Sequence, residues 1–166
     1  MIEKAISAFG TLVGRISLLG GYLAAAAVAV MAVLICVEVI GRGLFGVSTM
    51  IADEMSGYLN CAIVFLGLSY SLRERGFIRV EVLYGRLVGN WKRLTGWAIC
   101  VISLVYAVIV TLYMARHVAF SYQRGIVSTQ VSETPLYIPQ SLILAGSVIL
   151  VLQLFYYVLD RVRNLP

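Results

Sequence analysis

The sequence predicts an all-α integral membrane protein with four transmembrane helices and cytoplasmic N- and C-termini. Three observations lead there. First, 61% of the 166 residues are hydrophobic and only 13% charged, with a mean hydropathy of +0.94. A soluble domain runs nearer half apolar and a quarter charged. Second, Lys, Arg, Asp and Glu leave four long uncharged stretches, residues 16–37, 55–72, 94–115 and 134–159, of 22, 18, 22 and 26 residues. About 20 helical residues cross a hydrocarbon core of about 30 Å, so four spans fit. Together they consume most of a single 1–166 membrane domain and leave no room for a soluble catalytic domain. Third, ten of the 13 basic residues fall in three places. These are the N-terminal segment (Lys4, Arg15), the connection between spans two and three (Arg73, Arg75, Arg79, Arg86, Lys92, Arg93) and the tail (Arg161, Arg163). Four spans put both termini on one side, and the positive-inside rule makes that side the cytoplasm.

Taken in order, residues 1–15 read as an amphipathic helix. Ile2, Ala5, Ile6, Phe9, Leu12, Val13 and Ile16 recur at three- and four-residue spacing, with Glu3, Lys4, Ser7, Thr11 and Arg15 between them. It is expected at the cytoplasmic interface before the chain turns inward. The first span, about 16–40, reads as a retained helix and not a cleavable signal peptide, because the apolar run continues past the alanines at 24–27. Glycines 41, 43 and 46 predict a frayed or turned helix end there. Ser48 or Thr49 is then placed to cap the second span, about 54–73, with Asp53 and Glu54 against its positive dipole end. Glu38 and Arg42, four apart with the acid first, suit an ion pair.

Gly76 marks the end of the second helix. The Val80, Leu83, Tyr84, Leu87 stripe then predicts a short interfacial helix between spans two and three, with Arg79, Glu81 and Arg86 on its other positions. Trp91 and Trp97 mark the headgroup level for the third span, 94–115, whose periodicity continues to Arg124 before Gly125. The fourth, about 135–159, is expected to start at Ser132-Glu133-Thr134-Pro135, with Pro135 in its first turn and a slight kink at Pro139. It ends at an interfacial Tyr156-Tyr157 pair.

Chemistry has few candidates. Cys36, Cys61 and Cys100 each sit inside a predicted span, with no CxxC and no neighbouring histidine. They indicate neither a disulfide framework nor a metal site. A lone His117 excludes a bis-histidine haem held by this chain alone, and no cofactor is expected. The net charge of +5 reads as charge parked on the cytoplasmic side, so nucleic acid is not an expected partner. Ionisable residues at the bilayer centre usually mark function, and the centres of all four spans lack them. Glu38, near the outer end of span one, reads first as a structural pair or subunit contact and second as a coupling-ion or proton site. Asp53 and Glu54 read as helix-start residues before ion ligands. The glycine and serine pairs 10/14, 17/21 and 67/71 have the small-xxx-small spacing of close helix contacts. No phosphate loop, nucleophile elbow or metal cluster is present, so an enzyme is not expected.

From Ala52 to Leu87 the chain carries Asp53-Glu54 opening a helix, Phe65-Leu66-Gly67 within it, and an Arg-x-x-Gly-x-Ile-Arg-Val-acid run from Arg73 to Glu81. Further on comes Pro135-Leu136-Tyr137-Ile138-Pro139-Gln140. This pattern resembles the small membrane subunit of tripartite ATP-independent periplasmic (TRAP) transporters, the DctQ-like family. Phe77 stands where that family often has His, and Ile51-Ala52 where it often has Trp. The resemblance implies a three-part secondary transporter in a bacterial or archaeal cytoplasmic membrane. A periplasmic substrate-binding protein delivers an organic acid anion, such as a dicarboxylate or sugar acid. A large membrane subunit carries the substrate and sodium sites, and the small subunit braces it among the membrane lipids and helps dock the binding protein. Partner contacts are then expected at Glu38, Arg42, Asp53 and Glu54 outside and at Arg79 and Glu81 inside. The competing reading is a stand-alone four-helix proton-coupled exporter using Glu38.

Overall fold

A computed structural model describes residues 2–46, 48, 50–74, 90–130 and 132–163 of the chain. Within them lie four helices, α1 (Ile2–Phe45), α2 (Ile51–Arg73), α3 (Asn90–Gln123) and α4 (Tyr137–Arg163). Each holds a segment long and apolar enough to span a membrane: Ile6–Phe45, Ile51–Arg73, Leu94–Gln123 and Tyr137–Asp160. The helices α1, α2 and α4 pack against one another, and α3 packs chiefly along α4. The bundle thus has a turn end, holding residues 45–46, 48, 50–51, 124–130 and 132–136, and a terminal end. The expected interfacial helix between the second and third spans, with Arg79 and Glu81, lies outside the described residues.

The 44 residues of α1 make it about 66 Å long, twice the hydrocarbon thickness, so it tilts steeply or stands clear of the bilayer. The amphipathic stretch over 1–15 is therefore not a helix of its own; α1 passes through Arg15 and Ile16 without a break. The physical reason is that nothing there stops a helix, and Phe9 of the apolar stripe finds cover on α4. Phe9 meets Phe155 and Tyr156, each at a ring separation of 6.4 Å, and Val13 is fully buried.

Helix α1 also does not fray at Gly41. It stops at Gly46, whose φ of +65° is free of cost only for glycine, and whose N–H donates to the Arg42 carbonyl at 3.2 Å. Ser48 does not take the N-cap position of α2, and Thr49 lies outside the described residues. Met50 occupies that position, left-handed at φ 56° and without a side-chain cap bond. Ser48 is engaged elsewhere, donating to Glu38 Oε1 at 2.8 Å.

As the periodicity predicts, α3 outlasts the uncharged stretch and runs to Gln123. Gly125, at φ +57°, closes it with a Schellman pair: Gly125 N–H donates to the Tyr122 carbonyl at 3.2 Å and Ile126 N–H to that of Ser121 at 3.0 Å. The start of α4 departs from expectation. Pro135 belongs to an antiparallel bridge with Val127, and the helix begins at Tyr137. Pro139 is then its third residue, where no intrahelical N–H is required, so a kink has no cause.

Packing is close where side chains are absent. A β-carbon on Gly146 would stand 2.7 Å from the Phe65 carbonyl carbon, and one on Gly20 would stand 3.2 Å from the Leu66 carbonyl oxygen. Gly10 lies under the Tyr156 ring and Gly21 under that of Tyr70. Two small apolar clusters join the helices. Ala24, Ala62 and Leu66 pack with Ile149, while Leu72, Ala107 and Leu154 pack with Leu104, Leu150 and Val151.

Among the described residues, a polar bond crosses this interior. Ser17 on α1, fully buried, donates to Gln153 Oε1 on α4 at 3.0 Å. Interhelical bonds of this kind average about 0.6 kcal/mol in membranes and reach about 1.7. Ser17→Ala and Gln153→Leu should therefore show a coupling of about 0.6 kcal/mol or more in a double-mutant cycle of unfolding in mixed micelles. Strictly additive effects would mean the bond contributes nothing.

Candidate functional site

The turn end gathers four of the six candidate side chains, in two neighbouring clusters. The first joins α1 to the start of α2. Arg42 donates from Nε to Glu38 Oε1 at 2.8 Å and from Nη2 to Asp53 Oδ2 at 3.3 Å. The Glu38–Arg42 pair is the one its i, i+4 spacing predicts; the link to Asp53 depends on the turn at Gly46. Glu38 is buried at 8% exposure, whereas Arg42 is 45% and Asp53 78% exposed. Ser48 adds its hydroxyl to the Glu38 carboxylate. Glu38 also lines an apolar groove of about 540 Å³ between α1 and α2, with Ala29, Val33, Leu34, Val37 and Ile51.

The second cluster joins α2 to the loop between α3 and α4. The Tyr58 hydroxyl donates to Glu54 Oε1 at 2.7 Å, and the Ser132 hydroxyl donates to Glu54 Oε2. Ser128 stands beside the same carboxylate, and the Thr134 and Ser132 hydroxyls share a bond of 2.7 Å. The loop is itself ordered by Ser128 N–H on the Thr134 carbonyl at 2.9 Å and Leu136 N–H on that of Ile126 at 3.0 Å. Glu54 is thus the point on α2 to which this loop is tied.

Of the six candidate residues, the structure brings Glu38, Arg42 and Asp53 into one network and gives Glu54 a separate one. Arg79 and Glu81 lie outside the described residues. Sequence reasoning missed Tyr58 and Ser128, and it read Ser48, Ser132 and Thr134 as helix-start residues and not as partners of the carboxylates. The Glu54–Tyr58 spacing of four was a readable signal, but the loop residues are 74 or more positions away and become neighbours only through the fold. The cysteines are unpaired, Cys100 buried and the other two exposed. Among the described residues, no three His, Cys, Asp or Glu side chains converge as metal ligands. The carboxylates are occupied by a guanidinium and by hydroxyls, an arrangement that ties helices together.

A family model, described as the DctQ component of tripartite ATP-independent periplasmic transporters, matches residues 31–164. That is most of the chain and includes both clusters. The chain belongs to the DctQ family. No curated protein matches it. As a DctQ component it is the small permease subunit of a TRAP transporter, a transporter part and not a member of a known enzyme family. Its four spans make it a multi-pass protein of the bacterial inner membrane. The family implies a complex with a large membrane subunit and a substrate-binding protein.

Proposed function

We propose that this DctQ component braces the large membrane subunit and helps dock the periplasmic substrate-binding protein during ion-coupled uptake of organic acid anions, of the dicarboxylate or sugar-acid class. The observation that carries this reading is the family match over 31–164. It is supported by the placing of Glu38, Arg42, Asp53 and Glu54, which collect at one end of α1 and α2 and tie helices and loop to one another. In this reading the turn end faces the periplasm, the termini face the cytoplasm, and sodium or proton binding belongs to the large subunit. Exposed Arg42 and Asp53, with Glu54 beside them, form the outer contact surface. Arg79 and Glu81 are proposed for the inner one.

The exporter reading needs Glu38 to take up and release a proton. Its contacts with Arg42 and Ser48 favour a fixed structural carboxylate instead.

Pull-down of the tagged chain from native membranes in mild detergent should recover one large polytopic protein in about equal amount. A homodimer with no such partner would overturn the proposal and make Glu38 the next residue to mutate. Charge reversal at Glu54 or at Arg79 is expected to lower substrate uptake or complex yield. Unchanged uptake in both variants would remove these two as contacts.

A further inference from the structure

The far end of α3 carries positive charge that the rest of the fold leaves unanswered. Counting about 20 residues from Trp97 at the headgroup level, the hydrocarbon ends near Arg116 and His117. Helix α3 nevertheless continues to Gln123, and the Arg124 N–H still bonds the Phe120 carbonyl at 3.1 Å. At 3.6 residues per turn, Arg116, His117, Phe120 and Arg124 fall within about 100° of arc. All four are exposed, Phe120 at 46%, whereas Ser121 on the packed side of the same turns is buried.

No acid neutralises this stripe. The sequence holds no Asp or Glu between Glu81 and Glu133. Among the described residues, Arg116, His117 and Arg124 enter no ion pair, while Arg42 at the same end is held by Glu38 and Asp53. The Arg124 guanidinium lies instead over the Phe120 ring, 4.7 Å from its centroid. Positive charge and an exposed aromatic ring are thus displayed together on one helix face.

Two anionic surfaces could meet such a stripe, a layer of lipid phosphates or the acidic face of a soluble protein. The axial spread decides between them. Arg124 stands eight residues, about 12 Å, beyond Arg116 along α3. In a helix that crosses the bilayer, a phosphate layer at one depth meets Arg116 and not Arg124. A folded acidic face engages both.

Building on the subunit reading above, in which the turn end faces the periplasm, we propose that the outer end of α3 is a docking surface for an acidic patch of the soluble substrate-binding protein. Arg116 and Arg124 supply the charge, His117 a further N–H donor, and Phe120 the apolar contact between them. The exposed acids of the turn end, Asp53 and Glu133, lie off this helix, so the surface is bipolar and favours one docked orientation.

The test uses the full chain co-purified with the large subunit in phosphatidylcholine nanodiscs, with fluorescently labelled binding protein as the probe. Arg116→Glu/Arg124→Glu should weaken binding about tenfold at low salt, and the difference should close at high salt, as steering by exposed charge requires. Arg116→Lys/Arg124→Lys should bind nearly as the unsubstituted complex does. Lys4→Glu/Arg15→Glu, an equal change of charge at the terminal end, should leave binding unchanged. Equal binding by the reversed and unsubstituted complexes would overturn the proposal. So would loss of the large subunit from the reversed variant, or a defect confined to nanodiscs containing phosphatidylglycerol, which would assign the stripe to that subunit or to lipid. Absence of binding by the unsubstituted complex at every salt concentration would instead be a failure of the docking reading itself, which separates the two.

Discussion

Gly146→Leu is expected to pull α4 away from α2 and to be the most damaging single substitution in the interior. The β-carbon alone would stand 2.7 Å from the Phe65 carbonyl carbon and 2.9 Å from the Leu66 nitrogen. These are backbone atoms, which cannot rotate aside as a side-chain end can. Overpacking a tight interior costs about 1–3 kcal/mol and sometimes more, and the obstacle here places leucine at or above about 3. The Ser17–Gln153 bond ties α1 to the same α4 and is expected to weaken as α4 shifts. The measurement is the folded fraction in detergent across a thermal ramp, with Gly57→Ala as control. Gly57 has nothing within 4 Å of an added β-carbon, so alanine there should gain about 0.5–1 kcal/mol by restricting the unfolded chain. If the two variants melt together, α2 and α4 do not approach as described.

Glu54→Ala is expected to free the loop between α3 and α4 while leaving the helices in place. The substitution removes the acceptor for Tyr58 and Ser132 and leaves their hydroxyls, with those of Ser128 and Thr134, to find water. The loop then rests on its backbone bonds and on its own hydroxyl contacts, Ser132 with Thr134 and Ser128 with the Gln130 N–H. Amide exchange at Ser128, Glu133 and Leu136 should quicken about tenfold, a size fitting loss of roughly one net hydrogen bond. Exchange within α2 and α4 should stay unchanged. Glu54→Gln keeps one acceptor oxygen and should fall between. Equal exchange in all three proteins would mean the loop is held by its Schellman closure and its Val127–Pro135 bridge, not by Glu54.

Much of this molecule was legible before any coordinates. The four spans followed from where charges are missing, because hydrocarbon excludes charge whatever the tertiary arrangement. The reach of α3 to Gln123 and the stop at Gly125 followed from periodicity and from the backbone freedom of glycine. The Glu38–Arg42 pair followed from helical spacing, and the family from a run of residues between Ala52 and Leu87. The errors share one cause: each treated a local signal as if nothing distant competed for it. Ser48 is a good capping residue, but its hydroxyl goes to Glu38, ten residues earlier. Pro135 suits a helix start, but Val127 claims it for a bridge. The first fifteen residues suit a membrane surface, but α4 offers Phe155 and Tyr156 as cover.

The sequence by itself determined the class, the number of spans and the family, because each rests on composition, local spacing or a contiguous motif. Tertiary structure alone decided which glycine lies against a neighbouring backbone, which hydroxyls hold Glu54 and where α3 stands away from α2. Those properties depend on approaches of a few ångströms between residues such as Gly146 and Phe65, or Ser132 and Glu54, far apart along the chain. Helical periodicity tells which residues share a face. Only packing tells what that face meets.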